Sequence, residues 1–397
     1  MNTKYFKRRE WLKKSALTAG GVLAVPYMGY SENLKAPLLL DVNGDAIYSP
    51  FFKEYLPANP REFPVYAAKL NANENPYGPS PLALEAFIKE ASGGNRYAWK
   101  ELYELMEKIA EFEGVNFNNI MMGPGSSDLL EKTAMVLMRD GGNVVSADPA
   151  YMSLIRVAES VGATWKPVPL KKDWSHDLKG MEEAIDSDTK LVYICNPNNP
   201  TATITEHTEL VDFCSRVSEK VPLFIDEAYL AFLGEGLKRS MVSLINQGKN
   251  VIIARTFSKI HGMAGLRVGY IVGQEATLRQ LKKITRGGMG ISYPSVCAAI
   301  AAMDDTEFLD KSRKLNAECR EFVYQSLESI GFDYVPSHTS FMIFPIEMDG
   351  KVFLQKMTDL RIGVRAFQFM DKNWCRVSMG TMEEMKLFTE AAAKVLV

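Results

Sequence analysis

The feature that most constrains this chain is an alternation of short apolar runs with segments of helical period. Buried strands are predicted by apolar runs at 120–122, 143–147, 191–195, 223–225, 251–254 and 268–272. Helices are predicted between them at about 127–139, 151–161, 178–186 and 206–219. Because short buried strands that alternate with helices form sheets covered on both faces, the sequence predicts an α/β fold with a mostly parallel sheet.

Different patterns flank this core. After about residue 294 a long helix at about 305–329 precedes apolar runs at 341–344 and 376–378 and a final helix at about 382–396, which predicts a smaller α+β unit. Before the core, helices are predicted at 81–91 and 100–112, whereas residues 37–80 indicate an extended arm and loops. We therefore predict a leader at 1–36, an arm with part of the small domain at 37–95, a large domain at 96–293 and a small domain at 294–397.

The first 36 residues have the layout of an export signal. A basic segment at 7–14 is followed by a mildly apolar stretch from 15 to about 30. The paired Arg8 and Arg9, followed by an aromatic residue, Leu and Lys, resemble the twin-arginine signal, which directs folded proteins through the bacterial inner membrane. We expect the twin-arginine translocation machinery to export the protein to the periplasm. The alternative is a basic tail on a cytoplasmic protein.

Charge, histidine and cysteine exclude several classes of function. The chain has 46 Lys and Arg against 48 Asp and Glu, and removal of 1–36 would leave a net charge of −7. No cationic excess is present to bind a polyphosphate, so no nucleic-acid partner is predicted. The four histidines lack metal-ligand spacing, so no metal site is predicted. Small buried apolar residues are predicted at Cys195, Cys214, Cys297, Cys319 and Cys375, which form no CxxC pair.

Polar residues follow several of the predicted strands, and ligands of open α/β sheets bind beyond the carboxyl ends of strands. Residues 123–128 (GPGSSD) link a strand to a helix, where backbone N–H groups suit a phosphate. Asp226 ends an apolar strand, where a carboxylate needs a cationic partner. Lys259 follows the next strand and is predicted to act as an amine toward a carbonyl cofactor. Each residue alone is more typical of a cap or a surface ion pair.

Together these residues form a specific pattern. In their order and surroundings, the chain resembles the fold-type-I pyridoxal-phosphate (PLP) enzymes at Asn199, Asp226, Tyr229, Ser258, Lys259 and Arg267. Within that group it is most similar to the class I/II aminotransferases, in particular the histidinol-phosphate aminotransferase branch. Further similar segments lie at 69–79, 95–97, 125–128, 196–201 and 376–381. The resemblance implies a large domain with a seven-stranded, mostly parallel sheet, a smaller α+β domain and PLP as cofactor.

The resemblance also implies the catalytic roles. Lys259 would form the Schiff base with the cofactor and move a proton at the substrate Cα. Asp226 would keep the pyridine nitrogen protonated, so that the ring accepts electrons. Tyr229 and Asn199 would hydrogen-bond the ring hydroxyl, and Tyr151 would stack on the ring.

The remaining roles concern the phosphate, the substrate and the partner subunit. The phosphate would be bound by Ser126, Ser127, Ser258 and Arg267. Tyr97 would reach it from the second subunit of a homodimer. Arg376 would bind the substrate carboxylate in a bidentate fork, and Asn73 would also contact the substrate.

Three functions agree with this pattern. The first is an aminotransferase that passes an amino group from an amino acid or amino-alcohol phosphate to a 2-oxo acid. The second is a PLP-dependent lyase, decarboxylase or oxidase on the same fold, although Arg376 favours a substrate that keeps its carboxylate. The third is a non-catalytic binding protein, against which the intact Lys259 and Asp226 argue. Ala98 and Ala202 replace residues that are usual in the family, and the identities of donor and acceptor stay open.

Overall fold

The computed structural model describes residues 39–57 and 64–397, so the predicted leader at 1–36 lies outside the described residues. The strands are β1 Leu39–Leu40, β2 Ala46–Ser49, β3 Phe52–Tyr55, β4 Ala68–Lys69, β5 Ile120–Gly123, β6 Asn143–Asp148, β7 Thr164–Pro169, β8 Thr189–Cys195, β9 Leu223–Asp226, β10 Val251–Thr256, β11 Gly269–Gly273, β12 Phe341–Ile346, β13 Ile362–Gly363, β14 Arg365–Phe369 and β15 Lys372–Ser378. The α-helices are α1 Pro81–Glu90, α2 Trp99–Glu113, α3 Ser126–Leu137, α4 Ser153–Ser160, α5 Leu178–Glu183, α6 His207–Val217, α7 Ser243–Asn246, α8 Glu275–Leu281, α9 Tyr293–Asp304, α10 Thr306–Ser329, α11 Gly350–Asp359 and α12 Met382–Leu396.

A seven-stranded sheet with the order β5-β11-β10-β9-β8-β6-β7 forms the centre of the fold. All neighbouring strands are parallel except at β11, which runs antiparallel to both β10 and β5. The predicted α/β fold with a mostly parallel seven-stranded sheet is therefore confirmed. The direction of β11 was not predicted, because an apolar run shows burial but carries no information on strand direction.

Both faces of this sheet are buried, which explains why its strands are continuous apolar runs. In β8, Leu191 and Tyr193 belong to one core cluster, whereas the alternate residues Val192 and Ile194 belong to the other. Helix α6 packs on the second face and helix α4 on the first. Because successive side chains of a strand point to opposite faces, only two-sided burial makes every position apolar.

A six-stranded sheet with the order β1-β2-β3-β14-β15-β12 forms the second layer and packs against α10, α11 and α12. Residues 39–55 supply three of its strands, so this part of the predicted arm joins the six-stranded sheet rather than forming loops. These strands are only two to four residues long, too short to show a period. The domain boundaries near residues 95 and 293 stay predictions.

Local signals determine where several helices begin and end. Ser80 Oγ accepts a hydrogen bond from the Ala83 N–H at 3.2 Å, which caps α1. Gly114 ends α2 with a φ of 66°, in the left-handed region that favours glycine. Thr381 and Glu384 form a capping box at the start of α12.

No helix within 39–57 and 64–397 is long and apolar enough to cross a membrane.

Candidate active site

A cavity of about 530 Å³ lies where β8, β9 and β10 end and α3 begins. We call it the cofactor cavity. Within one chain, it is lined by every predicted site residue except Tyr97, namely Asn73, Ser126, Ser127, Tyr151, Asn199, Asp226, Tyr229, Ser258, Lys259, Arg267 and Arg376. Tyr97 lies on the surface with 70% of its area exposed. The strand ends thus bring together residues that are up to 303 positions apart in the sequence.

One end of the cofactor cavity is built to bind an anion. The backbone N–H groups at the start of α3 and the Arg267 guanidinium face the same space. Arg267 Nη1 donates to Ser258 Oγ at 3.2 Å, and Arg267 forms no ion pair with any described residue. Gly125 leaves room for this arginine, because a Cβ there would lie 2.1 Å from Arg267 Nη2.

Lys259 and Asp226 both have shifted pKa values. Burial raises the pKa of Asp226 to about 6. A hydrogen bond from the Ala228 N–H at 3.1 Å lowers this pKa and so partly opposes the effect of burial. Burial and then the Arg376 guanidinium lower the pKa of Lys259 to about 8, while Asp226 acts in the opposite direction. Lys259 is half-buried, with Nζ 3.5 Å from the Ala72 carbonyl oxygen. It is therefore an amine that loses its proton near neutral pH.

Tyr229 is held by a chain of hydrogen bonds. Asn73 Nδ2 donates to Tyr229 Oη at 3.0 Å, and Asn73 Oδ1 accepts from Ser378 Oγ at 2.8 Å. Burial raises the pKa of Tyr229 well above its usual value, so its hydroxyl keeps its proton at neutral pH. Asn73 therefore acts on Tyr229, and its predicted contact with the substrate stays a prediction. Sequence analysis gave Ser378 no role, and it lies 305 positions from Asn73 in the chain.

Arg376 is a buried cation without a counter-ion. Its Nη1 donates to Asn199 Oδ1 at 2.7 Å and its Nη2 donates to the Asn71 carbonyl at 3.3 Å. Its Nε has no hydrogen-bond partner among the described residues, and no described acid forms an ion pair with it. Burial lowers its pKa to about 10. A buried guanidinium of this kind gains most from a bound anion.

A second cavity of about 530 Å³ adjoins the first and shares Tyr151, Asn199, Arg365 and Arg376 with it. We call it the side-chain cavity, and the rest of its wall includes Tyr48, Phe52, Glu54, Arg156 and Phe367. Sequence analysis singled out none of these residues individually. The available signal was weak. Glu54 and Arg365 are charged residues in short segments that also contain apolar residues.

Comparisons with known proteins identify the family. Residues 67–391 match the family described as aminotransferase class I and II. This chain belongs to that family. The aminotransferase is 36% identical to the histidinol-phosphate aminotransferase of Akkermansia muciniphila. The match covers 83% of this chain and 90% of the relative. It is 34% identical to that of Moorella thermoacetica, over 87% of its own length and 91% of the relative's.

A solved structure supports the same assignment and the cofactor. The histidinol-phosphate aminotransferase of Sinorhizobium meliloti, in complex with pyridoxal-5′-phosphate, matches with a TM-score of 0.78 and 30% identity over 83% of this chain and 91% of that one. This chain is therefore a PLP-dependent aminotransferase. The cofactor cavity fits PLP, because it combines an anion site at the start of α3, a buried carboxylate at the tip of β9 and an amine of lowered pKa.

The sequence also predicted no metal site and five buried cysteines. Within residues 39–57 and 64–397, no group of three or more His, Cys, Asp or Glu side chains could hold a metal ion. All five cysteines are unpaired; four are buried and Cys297 is half-buried. Burial raises the pKa of the Cys195 thiol well above its usual value, so this cavity-lining residue is an inert thiol.

Proposed function

We propose that the enzyme is an exported homodimer that transfers the amino group of an amino acid or amino-alcohol phosphate to a 2-oxo acid. One observation carries the reaction: a single cavity contains an amine of lowered pKa, Lys259, and a buried guanidinium without a counter-ion, Arg376. The first suits reaction with a carbonyl group, and the second suits the carboxylate of an amino acid that keeps this group throughout the reaction.

When bound, PLP supplies an aldehyde that reacts with amines and a pyridine ring that accepts electrons from the substrate Cα. Arg267, Ser258 and the start of α3 would bind its phosphate. Asp226 would hold a proton on the pyridine nitrogen, and that cationic partner would keep the Asp226 carboxylate ionised despite its burial. Asn199 accepts from Arg376 through Oδ1, so its amide nitrogen is left to donate toward the cofactor.

Lys259 would move the proton. Its amine would hold the cofactor and, once released, would accept the proton from the substrate Cα, for which a pKa of about 8 is close to working pH. Tyr229, held by Asn73, would orient the ring through its hydroxyl. Arg376 would fix the carboxylate, so that the Cα–H bond points toward Lys259.

A screen of half-reactions tests this function. The protein loaded with PLP is mixed with single amino acids, and the cofactor absorbance is followed. Transamination predicts that a donor bleaches the absorbance and that a 2-oxo acid restores it. Release of ammonia together with a 2-oxo acid would instead indicate a lyase or an oxidase, and loss of CO₂ would indicate a decarboxylase.

The dimer is proposed from the surface around Tyr97. Tyr97, Trp99 and Tyr103 are exposed aromatic residues, and the rings of Tyr97 and Trp99 lie 6.3 Å apart. Exposed apolar residues of α1 and α2 are also present at Leu82, Leu84, Ile88 and Phe112. Exposed apolar residues in such numbers mark an interaction surface, and the family resemblance implies that Tyr97 completes the partner's phosphate site.

Subunit complementation tests the shared site. Tyr97→Ala and Lys259→Ala are each expected to be inactive as homodimers. The two variants are mixed in equal amounts, unfolded and refolded together. About a quarter of wild-type activity should return, because half of the dimers are mixed and each mixed dimer has one intact site. No recovery, or an active monomer in sedimentation, would contradict the proposal.

Export is proposed from the basic segment at 7–14 and the apolar stretch after it. The residues predicted to bind PLP lie between 97 and 267 and come together only on folding, so loading and folding are linked. Export after folding would deliver a loaded enzyme. Cell fractionation of the wild type and of an Arg8→Lys, Arg9→Lys variant tests this proposal. Wild-type protein that stays in the cytoplasm with residues 1–36 uncleaved would support the cytoplasmic alternative.

A further inference from the structure

The side-chain cavity contains an ion pair that bears on the choice of substrate. Arg365 on β14 lies directly opposite Arg376 on β15 in the strand register. Two guanidinium groups in this relation would together form a strong site for an anion with two charges, such as a phosphate ester. The charge available from Arg365 therefore decides what the cavity accepts.

Glu54 neutralises Arg365. Its Oε1 lies 2.7 Å from Arg365 Nη2, and its Oε2 accepts a hydrogen bond from the Tyr48 hydroxyl at 2.5 Å. Glu54 is only 5% exposed, because β3 pairs with β14 and places Glu54 opposite Phe367. A buried carboxylate with two partners does not leave its site at low cost, so a negative charge stays beside Arg365, whose own side chain is 42% exposed.

The rest of the wall is balanced in charge and largely aromatic. Arg156 lies 4.9 Å from the centre of the Tyr48 ring, and Glu131, on the same wall, accepts a hydrogen bond from Ser153. Apart from Arg376, two arginines thus face two glutamates in the side-chain cavity. The rings of Phe52 and Phe367, with centroids 5.9 Å apart, provide apolar surface.

We propose that the side-chain cavity takes the uncharged aromatic side chain of an amino acid and rejects phosphate esters and dicarboxylates. This inference rests on the proposed function, in which Arg376 binds the carboxylate of the donor. Among the described residues shared by the two cavities, Arg376 is then the cation without a counter-ion, which suits a single carboxylate. A doubly charged phosphate would meet the Glu54 carboxylate with only one uncompensated cation, Arg376, beside it.

The segment that carries this selectivity lies outside the family match. Tyr48, Phe52 and Glu54 precede residue 67, where that match begins, whereas Lys259, Asp226 and Arg376 lie inside it. Glu54 is a specificity residue, since it acts on the substrate side chain and touches none of the cofactor-binding groups.

The test compares donors in the loaded enzyme. The second-order rate constant for bleaching is measured with L-phenylalanine, L-tyrosine, histidinol phosphate and L-glutamate. The wild type is expected to prefer the aromatic donors over histidinol phosphate by at least about tenfold. Glu54→Gln frees Arg365 and should raise the constant for histidinol phosphate by about tenfold or more through KM, and change that for L-phenylalanine less than about threefold.

Two further variants keep the result interpretable. The double variant Glu54→Gln, Arg365→Gln removes both partners of the ion pair and should lose the gain with histidinol phosphate. Glu318→Gln removes one negative charge from an exposed helix position and should change neither constant. If Glu54→Gln does not fold, the wild-type preference still tests the selectivity, and a wild type that accepts histidinol phosphate as well as L-phenylalanine overturns it.

The outcomes separate the two proposals. A wild type that prefers histidinol phosphate, or an unchanged donor ratio in Glu54→Gln, would overturn the inference and leave transamination intact. Absence of bleaching with every donor would instead count against the proposed function itself.

Discussion

The two adjoining cavities differ in how the chain builds them. The cofactor cavity is made mainly from the tips of parallel strands and the start of a helix, and the six-stranded sheet adds Arg365 and Arg376. The side-chain cavity is made where two antiparallel strands from opposite ends of the chain meet, with Glu54 opposite Phe367. The cofactor cavity is thus defined by local motifs, whereas the side-chain cavity depends on long-range pairing.

This contrast predicts that changes in one cavity affect cofactor chemistry and changes in the other affect donor choice. Lys259→Ala should have the largest effect, a loss of turnover of at least about 10⁴-fold, because both the amine that holds the cofactor and the proton acceptor are removed. PLP should still bind through its phosphate. Lys238→Ala, which removes an exposed lysine paired with Glu235, is the matched control and should be fully active.

Borohydride reduction of the loaded wild type, digestion and mass mapping provide a direct check on Lys259. The modified peptide should contain residue 259. A label on any other lysine would overturn the assignment.

Asp226→Asn should reduce turnover by about 10²- to 10³-fold with every donor, because a neutral amide cannot hold the pyridine proton. The fold should persist, since the side chain is isosteric and its hydrogen bond from Ala228 can be kept. Single-turnover kinetics and circular dichroism measure the two effects. Near wild-type turnover in this variant would remove Asp226 from the mechanism.

Arg376→Gln should distinguish most clearly between effects on donor binding and effects on cofactor binding. Loss of the buried guanidinium should raise KM for amino acids by about 10- to 100-fold, the range for a hydrogen-bonded charged pair. The affinity for PLP should hardly change. Arg267→Gln should show the reverse, with weakened PLP binding measured by dialysis. Equal effects of both substitutions on PLP affinity would show that the division between the cavities is wrong.

The pH dependence of cofactor loading should show the smallest effect. The pKa of Lys259 is lowered to about 8, so its reactive neutral form decreases as pH falls below that value. The rate at which PLP joins the cofactor-free protein should therefore rise about tenfold per pH unit up to pH 8 and then level off. Arg376, with a pKa of about 10, stays charged over this range. Stopped-flow absorbance measures this rate. A rate that continues to rise up to pH 10 would contradict the prediction.

The residues predicted for the cofactor cavity come together for a physical reason. Asp226, Lys259 and the 123–128 turn follow buried apolar strands, and the carboxyl ends of parallel strands meet at one edge of a sheet. Glu54 and Arg365 belong to strands of four and five residues, whose partners are chosen by packing over about 300 positions. No local pattern contains that information, so the side-chain cavity required the structure.

The order of the six-stranded sheet has a mechanical consequence. Glu54, Arg365 and Arg376 occupy three adjacent hydrogen-bonded strands, β3, β14 and β15, whereas Lys259 and Asp226 belong to the other sheet. If the six-stranded sheet moved as a rigid body, the three charges would travel together and their mutual distances would be preserved. Only the separation between the carboxylate site and the reacting amine would change. Recognition of the donor and alignment for chemistry would then be separate degrees of freedom in this enzyme.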